Sequence, residues 1–352
     1  MKNPFKYGTI VEDEFFTDRQ IELQQIMQAM DSENHLILIS PRRFGKSSLI
    51  TKAVKLLKRP CIIVNLQQVV SAQDLATKLM KEAFKIYKWE RIKHHMRHFR
   101  IVPTISTNPI TDGVDLSFQP RVDTRILLED VLLLLEHVST PEHRLIVVLD
   151  EFQEIATIEK GLDRQLRAIM QAQQGLNYIF LGSQESMMME IFEQKKSPFY
   201  NFGKLMRLAK IPYADFYDYL MSRMPRKDDN IAKDILTITD CHPYYTQQLA
   251  SQVWELITYE QLSDNVVDEA LDRLTQVHDL DFERLWQGFN RTDKYVMQAL
   301  CKGENPQGTG SLPTSTVFSS LKRLTKTGYV IRANTYSIED PFFKRWILQK
   351  QV

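Results

Sequence analysis

Continuous apolar runs recur along residues 1–211, separated by stretches whose apolar residues fall at helical spacing. Leu36-Ile37-Leu38-Ile39, Cys61–Leu66, Leu145–Asp150 and Tyr178–Ser183 have the unbroken apolar pattern of strands buried on both faces of a parallel sheet. Lys204–Leu208 reads as a fifth strand. Ile21, Leu23, Ile26, Met27 and Met30, and later Leu49, Val54, Leu56 and Leu57, repeat at helical spacing. Helices are therefore expected over 20–30, from the loop after Ile39 to Pro60, and over 74–99, 123–138 and 161–174. Residues 1–20 read as an extended leading segment. Residues 100–122, interrupted by prolines, read as an irregular excursion or hairpin. Strands alternating with helices predict an α/β, three-layer parallel-sheet core. From about Pro212 the pattern turns helical as far as Asp279. From about 285, two helical stretches precede Gly328–Arg332 and Thr335–Ile338, the helix–helix–hairpin order of a winged helix.

Chemistry enters directly after the first strand, where residues 40–48 read Ser-Pro-Arg-Arg-Phe-Gly-Lys-Ser-Ser. A phosphate-binding loop wants Gly, four residues, then Gly-Lys-Ser/Thr. Gly45-Lys46-Ser47 satisfies the second half, and Ser40 stands where the first glycine belongs. Backbone N–H groups at the head of a helix offer fixed donors to phosphate oxygens. Lys46 can reach the β/γ phosphates and Ser47 can ligate Mg²⁺. Because Gly-Lys-Ser is a common tripeptide, a second signal is needed. Asp150-Glu151, at the end of the apolar strand 145–150, supplies it: Asp150 for Mg²⁺ and Glu151 as general base toward water. Both motifs fall at C-terminal strand tips, where open α/β sheets bind ligands. Gly182-Ser183-Gln184, at another such tip, could reach a γ-phosphate or the attacking water, or could simply turn the chain.

Composition narrows the partners. The 352 residues carry 45 Lys plus Arg against 44 Asp plus Glu, a net charge of +1, so nucleic-acid binding would need a local patch. Cys61, Cys241 and Cys301 have no paired spacing, which argues against a disulfide framework or a zinc site. With no apolar run near the roughly 20 residues a bilayer needs, and no signal-peptide core at Met1–Phe5, a cytoplasmic protein without a membrane partner is expected.

Several landmarks together resemble the archaeal-type ATPases also found in bacteria. These are Asn3-Pro4-Phe5 with Gly8, Phe16-Thr17-Asp18-Arg19, Pro41–Leu49, Leu149-Asp150-Glu151-Phe152-Gln153, Cys241-His242-Pro243-Tyr244-Tyr245 and Tyr336–Trp346. That group belongs to the signal-transduction (STAND) branch of the AAA+-like P-loop ATPases and is related to origin-recognition ATPases. The resemblance implies a P-loop ATPase core over 1–211, a helical lid over 212–284 and a winged helix over 285–352. It implies a sheet in which the Asp150 strand is not adjacent to the phosphate-loop strand. It assigns ATP and Mg²⁺ as cofactors, with Ser40, Pro41, Arg42, Arg43, Phe44, Gly45, Lys46, Ser47 and Ser48 around the nucleotide. Ser47 and Asp150 fall to Mg²⁺, Glu151 to water activation and Ser183 or Gln184 to γ-phosphate sensing. The segment Phe16 to Arg19 would approach the base or ribose, and Pro243 would lie against the nucleotide from a lid turn. Ser40 and Cys241 replace glycines of the family pattern, which points to slackened affinity or slow turnover.

Other features have blander readings. His94 and His98, at i and i+4, could bind a metal, but Arg91, Lys93, Arg97 and Arg100 around them argue for a solvated basic face. That face, with Tyr87, Trp89 and Phe99, could meet nucleic acid or an acidic partner. Arg42 and Arg43 could hold phosphates or pair with acids of a neighbouring segment. Ser315–Thr327 reads as a recognition helix carrying Lys322, Arg323 and Lys326, a thin basic footprint, or as part of a protein-packing or autoinhibitory winged helix. Phe342, Phe343 and Trp346 are expected to anchor the last helix in the core. The leading expectation is an ATP-binding, ATP-hydrolysing switch that couples nucleotide state to lid and winged-helix orientation. An ATP-dependent DNA-binding protein and a nucleotide-holding scaffold with little turnover stay open. So does self-association or a protein partner.

Overall fold

The computed structural model describes residues 2–9, 19–32, 34–96, 103–108, 113–118, 124–260, 265–307, 312–332 and 335–350. Thr17, Asp18, Arg97, His98, Phe99 and Arg100, singled out above, lie outside them, as do Phe15 and Phe16. By contact the chain divides into two units. A sheet unit takes Gln20–Arg42 and Lys46–Ala209, and a helical unit takes Met1–Arg19, Arg43–Gly45 and Lys210–Val352.

The sheet unit is built on five parallel strands in the order β2-β5-β6-β1-β7: β1 (Leu36–Ile39), β2 (Cys61–Asn65), β5 (Leu145–Asp150), β6 (Leu176–Gly182) and β7 (Lys204–Arg207). Burial follows position in the sheet. Central β1 and β6 are buried throughout and β5 up to its last residue, whereas edge strands β2 and β7 are partly exposed. That is why the central strands read as unbroken apolar runs. β6 lies between β1 and β5, so the Asp150 strand is one removed from the phosphate-loop strand.

Helices α1 (Gln20–Asp31), α2 (Lys46–Leu57), α3 (Ala72–Ile86), α5 (Thr124–Val138), the single turn α6 (Ile155–Ile158), α7 (Leu162–Ala172) and α8 (Glu185–Glu193) belong to the same unit. On α2 the residues Lys46, Leu49, Ile50 and Ala53 are buried, one stripe at 3.6-residue spacing. On α1 the buried stripe is Leu23, Ile26, Ala29 and Met30, and Ile21 faces outward at 71% exposure. The helix expected over 74–99 is two helices. The N–H of Tyr87 bonds Ala83 O with Tyr87 extended, and α4 (Trp89–Met96) follows. The excursion at 100–122 contains the antiparallel hairpin β3 (Pro103–Asn108) and β4 (Gly113–Phe118).

The helical unit contains α9 (Tyr213–Arg223), α10 (Asp229–Thr239), α11 (Pro243–Tyr259), α12 (Val266–Val277), α13 (Asp279–Gly288), α14 (Arg291–Cys301) and α15 (Thr314–Lys326). The antiparallel pair β8 (Val330–Arg332) and β9 (Tyr336–Ile338) and the last helix α16 (Pro341–Lys350) complete it. Its core runs from Phe5 and Phe216 through Leu249 and Val296 to Phe342, Phe343 and Trp346, which do anchor the last helix. Trp346 Nε1 donates to Asp279 Oδ1 at 2.7 Å, so the indole is both buried and satisfied.

Candidate nucleotide site

β1 ends in the loop 40–45, and α2 begins at Lys46. Gly45 has φ 86°, a left-handed turn a side chain would strain. Ser40 is not among the positive-φ residues, so the missing first glycine costs no backbone strain. Its N–H bonds Gly182 O at 3.2 Å, tying the loop to the tip of β6. At Gly182 a Cβ would stand 2.3 Å from Met188 Cγ, so this strand tip has no room for one.

Lys46 is 7% exposed, and its Nζ donates to Ser40 O at 3.0 Å, Pro41 O at 3.2 Å and Ser40 Oγ at 3.3 Å. Burial lowers its pKa, opposed by the carboxylates of Glu151 and Asp150. Ser47 Oγ donates to Asp150 Oδ2 at 3.4 Å, and Asp150 Oδ1 takes the N–H of Glu151 at 2.9 Å. Burial first, then the charge of Glu151, pushes the Asp150 pKa up. Asp150 and Glu151 thus form an electronegative corner at the head of α2. A hydroxyl and a carboxylate are hard oxygen donors of the kind Mg²⁺ takes in small number beside phosphate and water, so the donor set fits. Among the described residues, no group of three or more His, Cys, Asp or Glu could hold a metal ion.

Glu151 adopts φ 53°, ψ 48°, left-handed for a non-glycine residue. Phe152, wholly buried, pins the turn: its ring lies 4.6 Å from Phe180 and 5.1 Å from Phe199. Ser183 Oγ and Gln153 Nε2 both donate to Glu151 Oε2, each at 2.5 Å. The structure therefore joins Lys46, Ser47, Asp150, Glu151 and Ser183 in one corner of the sheet unit. Gln184, half-buried, stands before α8 without a side-chain cap bond. Arg42 and Ser47 are exposed, and Pro41 and Ser48 are intermediate. Gln153 was invisible as a functional candidate in the sequence; its only signal was its place in the Leu149–Gln153 landmark.

The other candidates fall in the helical unit. Arg43, Phe44 and Gly45, the tip of the loop, belong there by contact. Arg19, 4% exposed, donates to Phe44 O at 3.3 Å. The Phe44 ring meets His242 edge-on at 4.8 Å, and the Arg43 guanidinium lies 4.4 Å from the Tyr244 ring centroid. Burial would lower the Arg43 pKa, but the Tyr245 and Tyr244 phenols and the Glu339 and Asp340 carboxylates hold it above its ordinary value.

Pro243 is the first residue of α11, and His242 Nδ1 accepts from the N–H groups of Tyr244 at 3.2 Å and Tyr245 at 3.5 Å. The neutral ring thus carries its proton on Nε2, 3.2 Å from Glu339 Oε1, a charge–dipole contact rather than an aligned hydrogen bond. Tyr245 Oη donates to Glu339 Oε2 at 2.7 Å. Cys241 takes φ 54°, a left-handed backbone.

Two basic expectations shrink. Arg323, expected on a recognition helix, is tied to the buried Asp293 through Nε at 3.1 Å. Arg91, although exposed, donates to Val138 O at 2.7 Å and lies over the Tyr87 ring. Among the described residues, no helix is long and apolar enough to cross a membrane.

Residues 16–249 match the family described as an ATPase domain predominantly from Archaea. No curated protein matches the chain. A Walker-type ATPase of Pyrococcus abyssi is similar at TM-score 0.68 and 16% identity, covering 98% of this chain and 99% of that one. The ORC2 protein of Aeropyrum pernix in its ADP form is similar at TM-score 0.53 and 12% identity, covering 99% and 98%. The ORC1 protein of the same organism, in complex with DNA, is similar at TM-score 0.51 and 12% identity, covering 95% and 93%. At these identities the likeness is one of fold. The match over 16–249, with a phosphate loop and an acidic strand tip in the order such a domain needs, identifies the chain as a member of the archaeal-type ATPase-domain family.

Proposed function

We propose that the protein binds ATP with Mg²⁺, hydrolyses it, and acts as a nucleotide-dependent switch. The observation that carries this reading is the 3.4 Å approach of Ser47 Oγ to Asp150 Oδ2, beside Lys46 and Glu151. The N–H groups opening α2, with Lys46, bind the phosphates. To do so, Lys46 exchanges the Ser40 and Pro41 oxygens for phosphate, a competition that weakens affinity. Ser47 and Asp150 hold Mg²⁺, which neutralises phosphate charge when bound. Glu151 accepts the proton of the attacking water. Ser183 spends its hydroxyl proton on Glu151, so sensing of the γ-phosphate falls to Gln184.

The chain is read as an ATPase core over 1–211, a helical lid over 212–284 and a winged helix over 285–352. The α14–α15–β8–β9 order supports the last assignment. The switch role is supported by the loop tip: Arg43–Gly45 directly precedes the N–H groups at the head of α2 in the chain yet belongs by contact to the helical unit. ATP binding measured on the wild type and on Lys46→Ala tests the reading. The expected result is a loss of about 100-fold or more in affinity, from removing a charge-assisted phosphate contact. Equal, negligible binding by both proteins would overturn it.

DNA binding through α15 is a second reading. It is supported by exposed Lys322 and Lys326 and by the DNA complex of the similar ORC1 protein. Salt-dependent duplex binding that falls on replacing both lysines would support it, and no binding at low salt would remove it.

A further inference from the structure

Gln153 is a polar side chain with no exposed surface, one residue past the aromatic that pins the β5 turn. Its Nε2 donates to Glu151 Oε2 at 2.5 Å, and its Oε1 has no hydrogen-bond partner among the described residues. A buried amide with an orphaned oxygen is costly, and an apolar side chain of similar size would pack there without that cost. The amide orientation is fixed by its neighbour, since an ionised Glu151 accepts only from N–H. Ser183 Oγ donates to the same Oε2 at 2.5 Å. The two donors converge on one oxygen and fix one rotamer of a side chain whose backbone is already held left-handed. No described donor bonds Glu151 Oε1, so that oxygen keeps its lone pairs for a proton from water.

We propose that Gln153 is a positioning residue for the hydrolytic reaction. Resting on the reading of Glu151 as the base, the proposal is that Gln153 grips Oε2 from inside the core so that Oε1 faces the water to be deprotonated. A neutral amide suits the task. It donates without bringing a charge into the core, and unlike a carboxyl it does not titrate. Gln153 touches neither nucleotide nor water and acts only through Glu151.

The test compares Gln153→Met, Gln153→Glu and Glu151→Gln in single-turnover phosphate release from ATP and Mg²⁺, with ATP affinity and thermal unfolding on the same proteins. Gln153→Met is expected to slow release about 10- to 100-fold. ATP affinity should stay within about twofold of wild type, and the unfolding midpoint should hold or rise by roughly 2–4 °C as the orphaned acceptor disappears. Slower chemistry in a protein that is no less stable is the signature a merely structural glutamine would not give. Gln153→Glu sets carboxylate against carboxylate. Its release should be slow at neutral pH and recover toward wild type as pH falls and the new carboxyl regains a proton to donate.

Wild-type release by Gln153→Met while Glu151→Gln is inactive would overturn the positioning role and leave the base intact. Wild-type release by Glu151→Gln would instead overturn the base reading itself. Should Gln153→Met not fold, a Gln153→Glu pH profile parallel to wild type would overturn the positioning role on its own.

Discussion

Two acidic pairs, one in each unit, are built alike and differ in what they leave available. At the β5 corner, Glu151 is held by a hydroxyl, Ser183, and a buried neutral donor, Gln153. After β9, Glu339 is held by a hydroxyl, Tyr245, and faces a buried neutral ring, His242. Each glutamate sits beside an aspartate whose pKa is pushed up by burial and by that glutamate. The difference lies in what the aspartates still have to offer. Asp340 Oδ1 caps α16, accepting from Phe342 N at 2.8 Å and Phe343 N at 3.1 Å. Asp150 gives one oxygen to a backbone N–H and turns the other to the Ser47 hydroxyl at the head of α2. A carboxylate spent on a helix cap is structural. One turned to a hydroxyl at the head of a helix has the oxygen free that the proposed metal–phosphate role requires.

The sharpest way to break this contrast is to neutralise the aspartates in turn. Asp150→Asn is expected to weaken Mg²⁺-dependent ATP binding about 10- to 100-fold, and Asp340→Asn to leave it unchanged, both by calorimetric titration. Equal losses would erase the distinction. Asp340 also makes a pH-dependent contribution to stability. The Asp340 pKa stands at about 6 against an unfolded 3.8, raised chiefly by burial, then by Glu339, with the Phe343 and Phe342 N–H groups and Arg43 pulling the other way. A carboxyl so raised stabilises fully below its unfolded value and loses that contribution as pH rises through about 6. Asparagine keeps the cap without the charge. Asp340→Asn should therefore stabilise the chain at pH 8 by on the order of 2 kcal/mol, with the gain vanishing by about pH 4. Urea unfolding at the two pH values measures it.

The smallest expected effect concerns the turn leading into His242. Cys241 holds φ 54°, a left-handed backbone that glycine takes freely. Cys241→Gly should stabilise by about 1 kcal/mol, read from the same unfolding curves. The equivalent change at Ser40, which is unstrained, should give no such gain.

Much of the sheet unit was legible in the sequence because its central strands are buried on both faces and so run apolar without interruption. The loop and the Asp150-Glu151 pair could be read because each is local, a few residues at a strand tip. Edge strand β7 was readable only as a short run, since half its pattern faces outward. What stayed hidden depends on contacts distant in sequence or on burial. The grip of Ser183 on Glu151 spans 32 residues, and that of Tyr245 on Glu339 spans 94. A glutamine in a motif gives no sign that its amide is fully buried. For Arg43 the sequence left open phosphate binding or pairing with acids of a neighbouring segment, and which phenols and carboxylates surround it, Tyr244, Tyr245, Glu339 and Asp340, was not readable there. The break between α3 and α4 went unread because Tyr87-Lys88 carries neither glycine nor proline.

The central claim is that the Glu151 corner performs chemistry and the Glu339 corner does not. Single-turnover phosphate release from ATP and Mg²⁺, measured on wild type, Glu151→Gln and Glu339→Gln, tests it most directly. The account predicts a loss of about 100-fold or more for Glu151→Gln, as expected for removing a general base, and release within about threefold of wild type for Glu339→Gln, whose described partners Tyr245 and His242 lie in the helical unit. Equal rates for wild type and Glu151→Gln, or a comparable loss in Glu339→Gln, would contradict it.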